Sequence, residues 1–352
     1  MAVLRHIRKL LRPVGWLYGI GVDIRNLCFD TGLLKSRTFD VPVICIGNIT
    51  VGGTGKTPHT EYLIRLLNKD RRVAVLSRGY KRKTKGFQLA GPHSTPYDIG
   101  DEPCQMKHKF PDVTVAVDSD RCHGIEMLTN RKMENEMPDI ILLDDAYQHR
   151  YVKPRLSILL MDYSRMPYDD HMLPSGDLRE GVKHVNRADI IIITKCPESI
   201  NPTEKHGLER AAGTSPWQKV FFSRFAYRQL VSISNRSTIA LNDVHDYCIL
   251  LVTGIANPAP LIDMLEKDNR CKAMTFNDHH DYTEEDIERM KEEWQRIRAE
   301  KRIIITTEKD AAKLKAAMGK GCRLEEFMYV IPVEVEFLEG QDKEFDKIIQ
   351  SI

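Results

Sequence analysis

The sequence predicts an α/β protein: a parallel sheet with helices on both faces, followed by a second, smaller α/β unit. Short apolar runs of strand length alternate with helical periodicity along most of the chain, which is the pattern of βαβ units. A glycine-rich loop joins the first of these runs to a helix, and a later run ends in two aspartates. The 352 residues are enough for about two domains.

The composition argues against several classes of protein, including nucleic-acid-binding and disulfide-rich proteins. Hydrophobic residues make up 42% and charged residues 29%, as in ordinary globular proteins. A net charge of +2 lacks the basic excess of a nucleic-acid-binding protein, so no nucleic-acid partner is expected. The eight cysteines form no C-x-x-C pair, which argues against zinc and against a disulfide framework and fits a reducing compartment. We also expect no secretory signal, since no small-residue cleavage site follows a compact apolar run.

Residues 1–38 are predicted to form a basic, amphipathic segment at a membrane interface. The first 12 residues contain four cations and no acid, and the uncharged run 13–22 carries Trp16 and Tyr18. That run is too short to span a bilayer, which takes about 20 residues. A segment of this kind lies in the interface with its cations toward anionic headgroups. The alternative is a helix that packs on the protein's own core.

The first apolar strand, 41–46, leads into a loop that is predicted to bind the phosphates of a nucleotide. Its glycines let backbone N–H groups surround phosphate oxygens. The following helix offers its positive N-terminus, Lys56 reaches the β- and γ-phosphates, and the Thr57 hydroxyl is a ligand for Mg²⁺. Thr50 stands where the common pattern has glycine. The predicted nucleotide-binding residues are Thr50, Val51, Gly52, Gly53, Thr54, Gly55, Lys56 and Thr57.

Two polar segments follow the next strand, 72–76. The loop from Arg78 to Lys85 carries five cations and no acid; it is either a solvated loop or, at this edge of an α/β sheet, a contact for an anionic substrate or nucleotide phosphates. Asp101 and Glu102 are adjacent carboxylates, one suited to a metal and the other to accept a proton from an attacking hydroxyl. The same residues are also a common helix start.

A buried strand that ends in Asp144 and Asp145 is the second strong signal. Carboxylates at the carboxyl end of a parallel strand meet Mg²⁺ or its water shell in nucleoside-triphosphate-binding proteins. Which of the two contacts the metal directly is left open by the sequence. His149 follows at the same edge, and Arg121 and Arg179 are candidate phosphate clamps. The segment 194–197 resembles a guanine-reading motif but has Pro197 in place of its aspartate, so adenine is favoured.

We predict a phosphate-loop domain over 39–218, linker strands over 219–232, and a smaller α/β domain over 233–352 with a returning strand near 329–337. In the smaller domain, His279 and His280 are flanked by aspartates. Adjacent residues of an extended chain point in opposite directions, so a catalytic or phosphate-contacting histidine is favoured over a metal site.

With these residues in place, the chain resembles the tetraacyldisaccharide 4′-kinases, the lipid A kinases of Gram-negative envelope biosynthesis. The matching blocks occur in the family's order between residues 40 and 310. They are 47–58, 76–80, 100–103, 143–150, 173–180, 276–280 and 306–310. The string Asp-Asp-x-aromatic-Gln-His-Arg at 144–150 is distinctive. Two departures are small: Ala146 stands where the family usually has glycine, and Tyr147 where phenylalanine is frequent.

The resemblance implies a peripheral enzyme on the cytoplasmic face of the inner membrane, with two α/β/α domains joined by a two-stranded linker. It implies transfer of the ATP γ-phosphoryl group, with Mg²⁺, to the 4′-hydroxyl of a tetraacylated glucosamine disaccharide 1-phosphate in lipopolysaccharide synthesis. We expect a monomer.

Site roles also follow from the resemblance. Asp101 is implied to be the general base and His279 the group that orients it, while Lys56 and Thr57 hold the triphosphate and Mg²⁺. The residues implied to order the metal and its waters are Glu102, Asp144 and Asp145. The residues implied to line the substrate site are Arg78, Arg121, His149 and Arg179.

Two other function classes share parts of this pattern. A soluble nucleotide-driven switch or metallochaperone-type ATPase can have a similar loop, but such proteins often carry a further lysine just before the glycines, where this chain has Val51. A binding module without catalysis does not need Lys56, Thr57, Asp145 and Asp101 together. The basic N-terminus and the Asp101–His279 candidate pair favour transfer to an alcohol over hydrolysis.

Overall fold

The computed structural model describes residues 8, 10–130, 137–319 and 321–352. The chain divides into two compact units: a larger one of residues 1–225 and 335–352, and a smaller one of residues 226–334. Each is built of a mostly parallel sheet with helices, so the predicted α/β class is confirmed.

The strands of the larger unit form a sheet with the order β15-β8-β7-β6-β1-β5-β2-β4-β3. Neighbours from β8 to β4 pair in parallel, and β3 pairs antiparallel with β4. The strands are β1 Val43–Gly47, β2 Val73–Ser77, β3 Gln88–Leu89, β4 Thr114–Val117, β5 Ile140–Asp144, β6 Leu156–Asp162, β7 Ile190–Thr194, β8 Lys219–Ala226 and β15 Glu334–Phe337.

Helices of the same unit follow these strands. They are α1 Arg12–Asp30, α2 Lys56–Leu67, α3 Pro96–Ile99, α4 Asp101–Lys109, α5 Arg121–Thr129, α6 Pro202–Ala211 and α10 Asp342–Gln350. Short 3₁₀ helices occupy Pro167–Asp169, Val182–Arg187 and Leu338–Gly340. Separate apolar clusters cover the sheet's two faces: Ile44 and Ile46 belong to one, and Val43 and Cys45 to the other.

The topology positions the site. Strands β1, β5 and β7 are buried along their whole length, which explains their continuous apolar runs. Strand β1 lies between β5 and β6. The chain continues from β1 to β2, on the β5 side, and the connection after β5 crosses back to β6 on the other side of β1. The carboxyl ends of β1 and β5 therefore open the crevice in which α/β sheets bind ligands.

Helix α1 lies within the predicted N-terminal segment. It buries Gly15, Asn26 and Phe29, and Asn26 Nδ2 donates to Glu180 Oε1 at 3.3 Å. Its opposite side is apolar and exposed, with Val14, Trp16, Leu17, Ile24 and Leu27. Among the helices that the structure describes, none is long and apolar enough to cross a bilayer.

The smaller unit has the strand order β10-β9-β14-β13-β11-β12. Strands β11 to β14 pair in parallel, and β9 pairs antiparallel with both β10 and β14. The strands are β9 Gln229–Ser232, β10 Thr238–Ala240, β11 Cys248–Thr253, β12 Arg270–Thr275, β13 Arg302–Thr307 and β14 Met328–Ile331. The helices are α7 Ala259–Glu266, α8 Glu284–Arg296 and α9 Glu308–Met318, with 3₁₀ turns at Leu241–Asp243 and Arg323–Phe327.

The predicted C-terminal boundary is corrected by the structure. Residues 335–352 belong to the larger unit, because Phe337, Phe345 and Ile349 are part of the same apolar cluster as β1. The returning strand predicted near 329–337 is two strands in different sheets, β14 and β15. Pro332 lies between them and has no N–H to donate to a ladder.

Candidate active site

The glycine-rich loop leaves β1 and enters α2 as predicted. Gly55 directly precedes α2 and has a φ of 87°, a left-handed conformation that favours glycine. At the end of β1, a Cβ on Gly47 would lie 2.7 Å from the Tyr147 Cβ atom. The loop that follows β5 is therefore packed closely against the phosphate loop.

Side chains fix the loop from within and from both sides. Asn48 Nδ2 donates to Thr54 Oγ1 at 2.9 Å, and the Asn48 carbonyl accepts from Gln148 Nε2 at 2.8 Å. The Thr54 carbonyl accepts from Thr194 Oγ1 at 2.9 Å. These contacts hold the loop between the ends of β5 and β7. Two of its N–H groups, those of Val51 and Thr54, donate to the carbonyls of Asp177 and Gly52.

Lys56, Asp145 and Arg179 form one charged group. Lys56 Nζ lies 3.6 Å from Asp145 Oδ1, and Arg179 Nη1 donates to both Asp145 oxygens at 3.0 and 3.1 Å. Burial alone would raise the pKa of Asp145, but the two cations outweigh it and the pKa is lowered. Asp145 is therefore a carboxylate at neutral pH, beside the lysine predicted to hold the phosphates.

Asp144 has a different environment. Asp144 is 4% exposed. Its carboxylate oxygens accept hydrogen bonds from Thr60 Oγ1 at 3.2 Å and Ser77 Oγ at 3.4 Å. Burial, followed by the neighbouring Asp145 carboxylate and then Glu102, raises the pKa of Asp144 to about 6. Because the Glu102 charge contributes to this shift, the three predicted metal-ordering carboxylates lie in one region.

Crowded carboxylates at a strand end are a donor set that suits a hard divalent cation such as Mg²⁺. Asp144, Asp145 and Glu102 supply carboxylate oxygens, and Thr57 lies in the first turn of α2 with a hydroxyl to add. Burial is the main cause of the raised Asp144 pKa, and a bound cation would offset the repulsion from Asp145 that adds to it. The residues present therefore fit the group that the sequence predicts.

Arg121 and His149 each bring an unpaired nitrogen to this edge. Arg121 is 3% exposed and donates to the carbonyls of Asp118 and Ser119. Its Nε and the His149 Nε2 are buried and have no hydrogen-bond partner among the described residues. Burial, and then the Arg121 charge, lowers the pKa of His149 to about 4. A phosphate-bearing ligand would satisfy both nitrogens.

The remaining predicted residues are placed as follows. Asp101 begins α4 and is adjacent to Glu102. Arg78 is exposed, and its charge is among those that lower the pKa of His149. His279 belongs to the smaller unit, where its Nε2 lies 3.9 Å from Asp278 Oδ2 and its φ is 61°. The pairing of Asp101 with His279 stays a prediction.

Two loop-supporting residues were missed by the sequence analysis. His59 donates from Nδ1 to the Gly55 carbonyl at 2.7 Å, and its Nε2 accepts from Ser223 Oγ at 3.0 Å. Arg165 donates to the Val51 carbonyl at 2.9 Å. His59 has a weak sequence signal, since it follows the phosphate loop directly; Arg165 has none, because its contact depends on the tertiary fold.

Comparisons with known proteins agree with this geometry. A family model described as tetraacyldisaccharide-1-P 4′-kinase matches residues 7–352. The tetraacyldisaccharide 4′-kinase of Phocaeicola vulgatus is 49% identical over 346 residues, which cover 97% of this chain and 94% of that protein. The enzyme of the same name from Bacteroides thetaiotaomicron is 48% identical and covers 97% of this chain and 92% of that protein.

A solved structure is similar over the same length. The crystal structure of LpxK from Aquifex aeolicus in complex with ATP has a TM-score of 0.75 and 28% identity, and the match covers 98% of this chain and 99% of that chain. The loop, the paired aspartates and the cations at one sheet edge thus occur in a chain whose whole length matches one family. This chain belongs to the tetraacyldisaccharide-1-P 4′-kinase family.

Proposed function

We propose that this protein is an ATP-dependent kinase that phosphorylates the 4′-hydroxyl of a tetraacylated glucosamine disaccharide 1-phosphate in lipid A synthesis. The observation that carries the proposal is the Lys56–Asp145–Arg179 group beside the glycine-rich loop, in a chain that matches the kinase family across its length. The switch-ATPase alternative is not favoured, because the family matches account for both units.

Residues of the phosphate loop and two cations are proposed to bind the negatively charged triphosphate. The loop N–H groups and Lys56 bind the triphosphate, and Arg179 adds a second cation. Both cations contact Asp145 in the described structure, so they are already oriented toward the site. Fixed charges of this kind stabilise a transferring phosphoryl group without reorganisation during the reaction.

Mg²⁺ is part of the proposal. When bound, it would neutralise charge on the phosphate oxygens. Thr57, Glu102, Asp144 and Asp145 are the residues proposed to hold it, directly or through water. Arg78, Arg121, Arg179 and His149 are proposed to contact the acceptor, whose 1-phosphate is an anion that suits the unpaired nitrogens of Arg121 and His149.

Asp101 is proposed as the general base. A carboxylate within hydrogen-bond reach of the 4′-hydroxyl accepts its proton as the oxygen attacks the γ-phosphorus. His279 is proposed to orient Asp101. We propose that a conformational step on substrate binding completes the site, as in many enzymes.

We also propose peripheral attachment to the cytoplasmic face of the inner membrane through residues 1–38. Support comes from α1, whose exposed side carries Trp16, Leu17, Ile24 and Leu27. A contiguous exposed apolar surface on a helix, preceded by cations, is typical of segments that lie in a lipid interface. The acylated acceptor is itself held in a bilayer, so attachment would bring enzyme and substrate together.

The test is phosphate transfer in mixed micelles of detergent and the disaccharide 1-phosphate, with ATP and Mg²⁺. The proposal predicts one added phosphate per lipid and a 1,4′-bisphosphate product by mass spectrometry. ATP consumption without a phosphorylated lipid would contradict it and return the switch-ATPase alternative.

A further inference from the structure

A second cluster of side chains shares His149 with the candidate active site and adds two residues, Asp120 and Cys122, that have no role in the proposed reaction. Asp120, Cys122 and His149 each offer one ligand atom, and these atoms all lie within 4.8 Å of one another. Asp120 precedes α5, Cys122 lies in its first turn, and His149 belongs to the loop after β5. Because the residues come from two separate segments, their spacing in the sequence gives no sign of a site.

Each side chain offers one ligand atom to a metal. Asp120 Oδ1 accepts from the backbone N–H groups of Cys122 and His123 at 2.9 and 3.3 Å, which orients the carboxylate and leaves Oδ2 for a ligand. The His149 Nε2 atom is buried and unpaired among the described residues. Cys122 makes only a long contact of 3.5 Å from Sγ to the Tyr151 carbonyl, which is a weak hydrogen bond.

We propose that Asp120, Cys122 and His149 bind a thiophilic divalent cation, with Zn²⁺ as the reference ion. A carboxylate, a thiolate and a neutral imidazole are all zinc ligands, and three protein ligands leave a fourth position for water. Neighbouring ligands of tetrahedral zinc lie about 3.5 Å apart. The three ligand atoms lie within 4.8 Å of one another, so they need to approach by about 1.3 Å at most.

Charge and protonation agree with this assignment. The His149 Nε2 atom has no hydrogen-bond partner among the described residues, so a neutral imidazole can present its lone pair there. A cysteine thiol loses its proton when it binds a metal. One carboxylate and one thiolate neutralise a divalent cation, so no unpaired charge is left beside Arg121.

Zinc bound to Asp120, Cys122 and His149 would inhibit the proposed kinase reaction. His149 is proposed to contact the lipid acceptor, and a His149 nitrogen bound to zinc is no longer available to a phosphate oxygen. Zinc at this position would therefore inhibit phosphoryl transfer by competition with the acceptor. This consequence rests on the proposed function, whereas metal binding itself does not.

The binding test uses Co²⁺, whose thiolate complexes absorb in the near ultraviolet, with the full-length protein. The wild type should give a charge-transfer band that saturates at one equivalent, and Cys122→Ser should lose it. Asp120→Asn keeps an oxygen that can cap the helix but removes a charged ligand, so its affinity should fall about 10-fold or more.

Cys104→Ser is the matched control, because Cys104 also lies beside a histidine, with Sγ 3.4 Å from His108 Nδ1, but belongs to no three-ligand group among the described residues. It should keep the band. An unchanged band in Cys122→Ser, or no saturable band in the wild type, would overturn the proposal.

Kinase assays then test competition. Chelator-buffered Zn²⁺ should inhibit the wild type and raise its apparent KM for the lipid, while Cys122→Ser keeps its activity at the same free Zn²⁺. Equal inhibition of both proteins would overturn the competition with the acceptor. If the chain proves to have no kinase activity, the Co²⁺ titration still decides the metal site.

Discussion

Lys56 Nζ lies 3.6 Å from Asp145 Oδ1. This ion pair connects the phosphate loop, which follows β1, to the paired aspartates at the end of β5. We predict that Lys56→Met reduces phosphoryl transfer by about 10²-fold or more, because a preorganised cation is removed from the developing phosphate charge. The rate at saturating lipid, with ATP varied, measures the loss.

Lys219→Met is the control for this substitution, since Lys219 is an exposed lysine of the same unit that pairs with Glu344. It should leave the rate unchanged. Full activity of Lys56→Met would show that the loop does not hold the triphosphate through this side chain.

The second prediction concerns the buried Asp144. Its pKa is raised from 3.8 to about 6, so the folded state favours the protonated acid. The stability that this provides is present below about pH 4 and is lost as the pH rises through 6. Asp144→Asn stays neutral at every pH. Its free energy of unfolding relative to wild type should therefore increase between pH 4.5 and 6.5 and then level off, with an upper limit of about 3 kcal/mol. Thermal unfolding at each pH measures the change.

Asp139→Asn gives the opposite sign under the same conditions, without nucleotide or metal. Hydrogen bonds from Arg72 lower the pKa of Asp139 to about 2, so its carboxylate stabilises the fold above about pH 4 and that contribution is lost as the pH falls through 2. The substitution should cause a small, constant loss from pH 4.5 to 7.5. A gain from Asp144→Asn that does not depend on pH would contradict the burial argument.

The third prediction concerns His59, which connects the Gly55 carbonyl to Ser223. His59→Ala removes both hydrogen bonds in a buried position and should cost about 2–4 kcal/mol of stability. ATP affinity should fall as well, because Gly55 directly precedes Lys56. Calorimetry and nucleotide titration measure the two effects.

Ser223→Ala is a milder variant that removes one bond and should show a smaller change in the same direction. His206→Ala, at an exposed histidine of α6, should have no effect. Unchanged ATP affinity in folded His59→Ala and Ser223→Ala proteins would show that this contact does not shape the phosphate loop.

The fourth prediction concerns the membrane. Trp16 is 69% exposed on α1, and replacing Trp16 and Leu17 by serine should reduce co-sedimentation with anionic vesicles by about 10-fold or more, since two large apolar side chains no longer enter the interface. ATP binding should be unchanged. Trp217→Ser, at a tryptophan that is 71% exposed elsewhere on the larger unit, is the matched control; equal losses for both proteins would argue against α1 as the anchor.

Local sequence was enough to predict the parts of the site that are continuous in the chain. The glycine-rich loop and the strand ending in Asp144 and Asp145 are each specified by neighbouring residues, so their elements and order were predicted before the fold was known. The contact between Lys56 and Asp145 was not predicted. It depends on β1 and β5 being adjacent parallel strands, whose ends meet at one sheet edge.

Features that depend on distant packing were not predictable in this way. The sequence analysis includes α10 in the smaller domain, 233–352, but Phe345 and Ile349 complete the larger unit's core. In the sequence, His59 is one polar residue in a predicted helix. Its role depends on the contact with Ser223, which is distant in the sequence. The Asp120–Cys122–His149 cluster likewise exists only after the loop that follows β5 is brought to α5.

The most direct test of the account is single-turnover transfer of the ATP γ-phosphoryl group to the disaccharide 1-phosphate by wild type and Asp101→Ala, with ATP affinity measured in parallel. We predict that the substitution lowers the transfer rate by about 10²-fold or more and leaves the ATP dissociation constant nearly unchanged, because a general base acts in the chemical step. Transfer by Asp101→Ala at the wild-type rate would contradict the proposed role of Asp101, and no transfer by the wild type would contradict the kinase assignment itself.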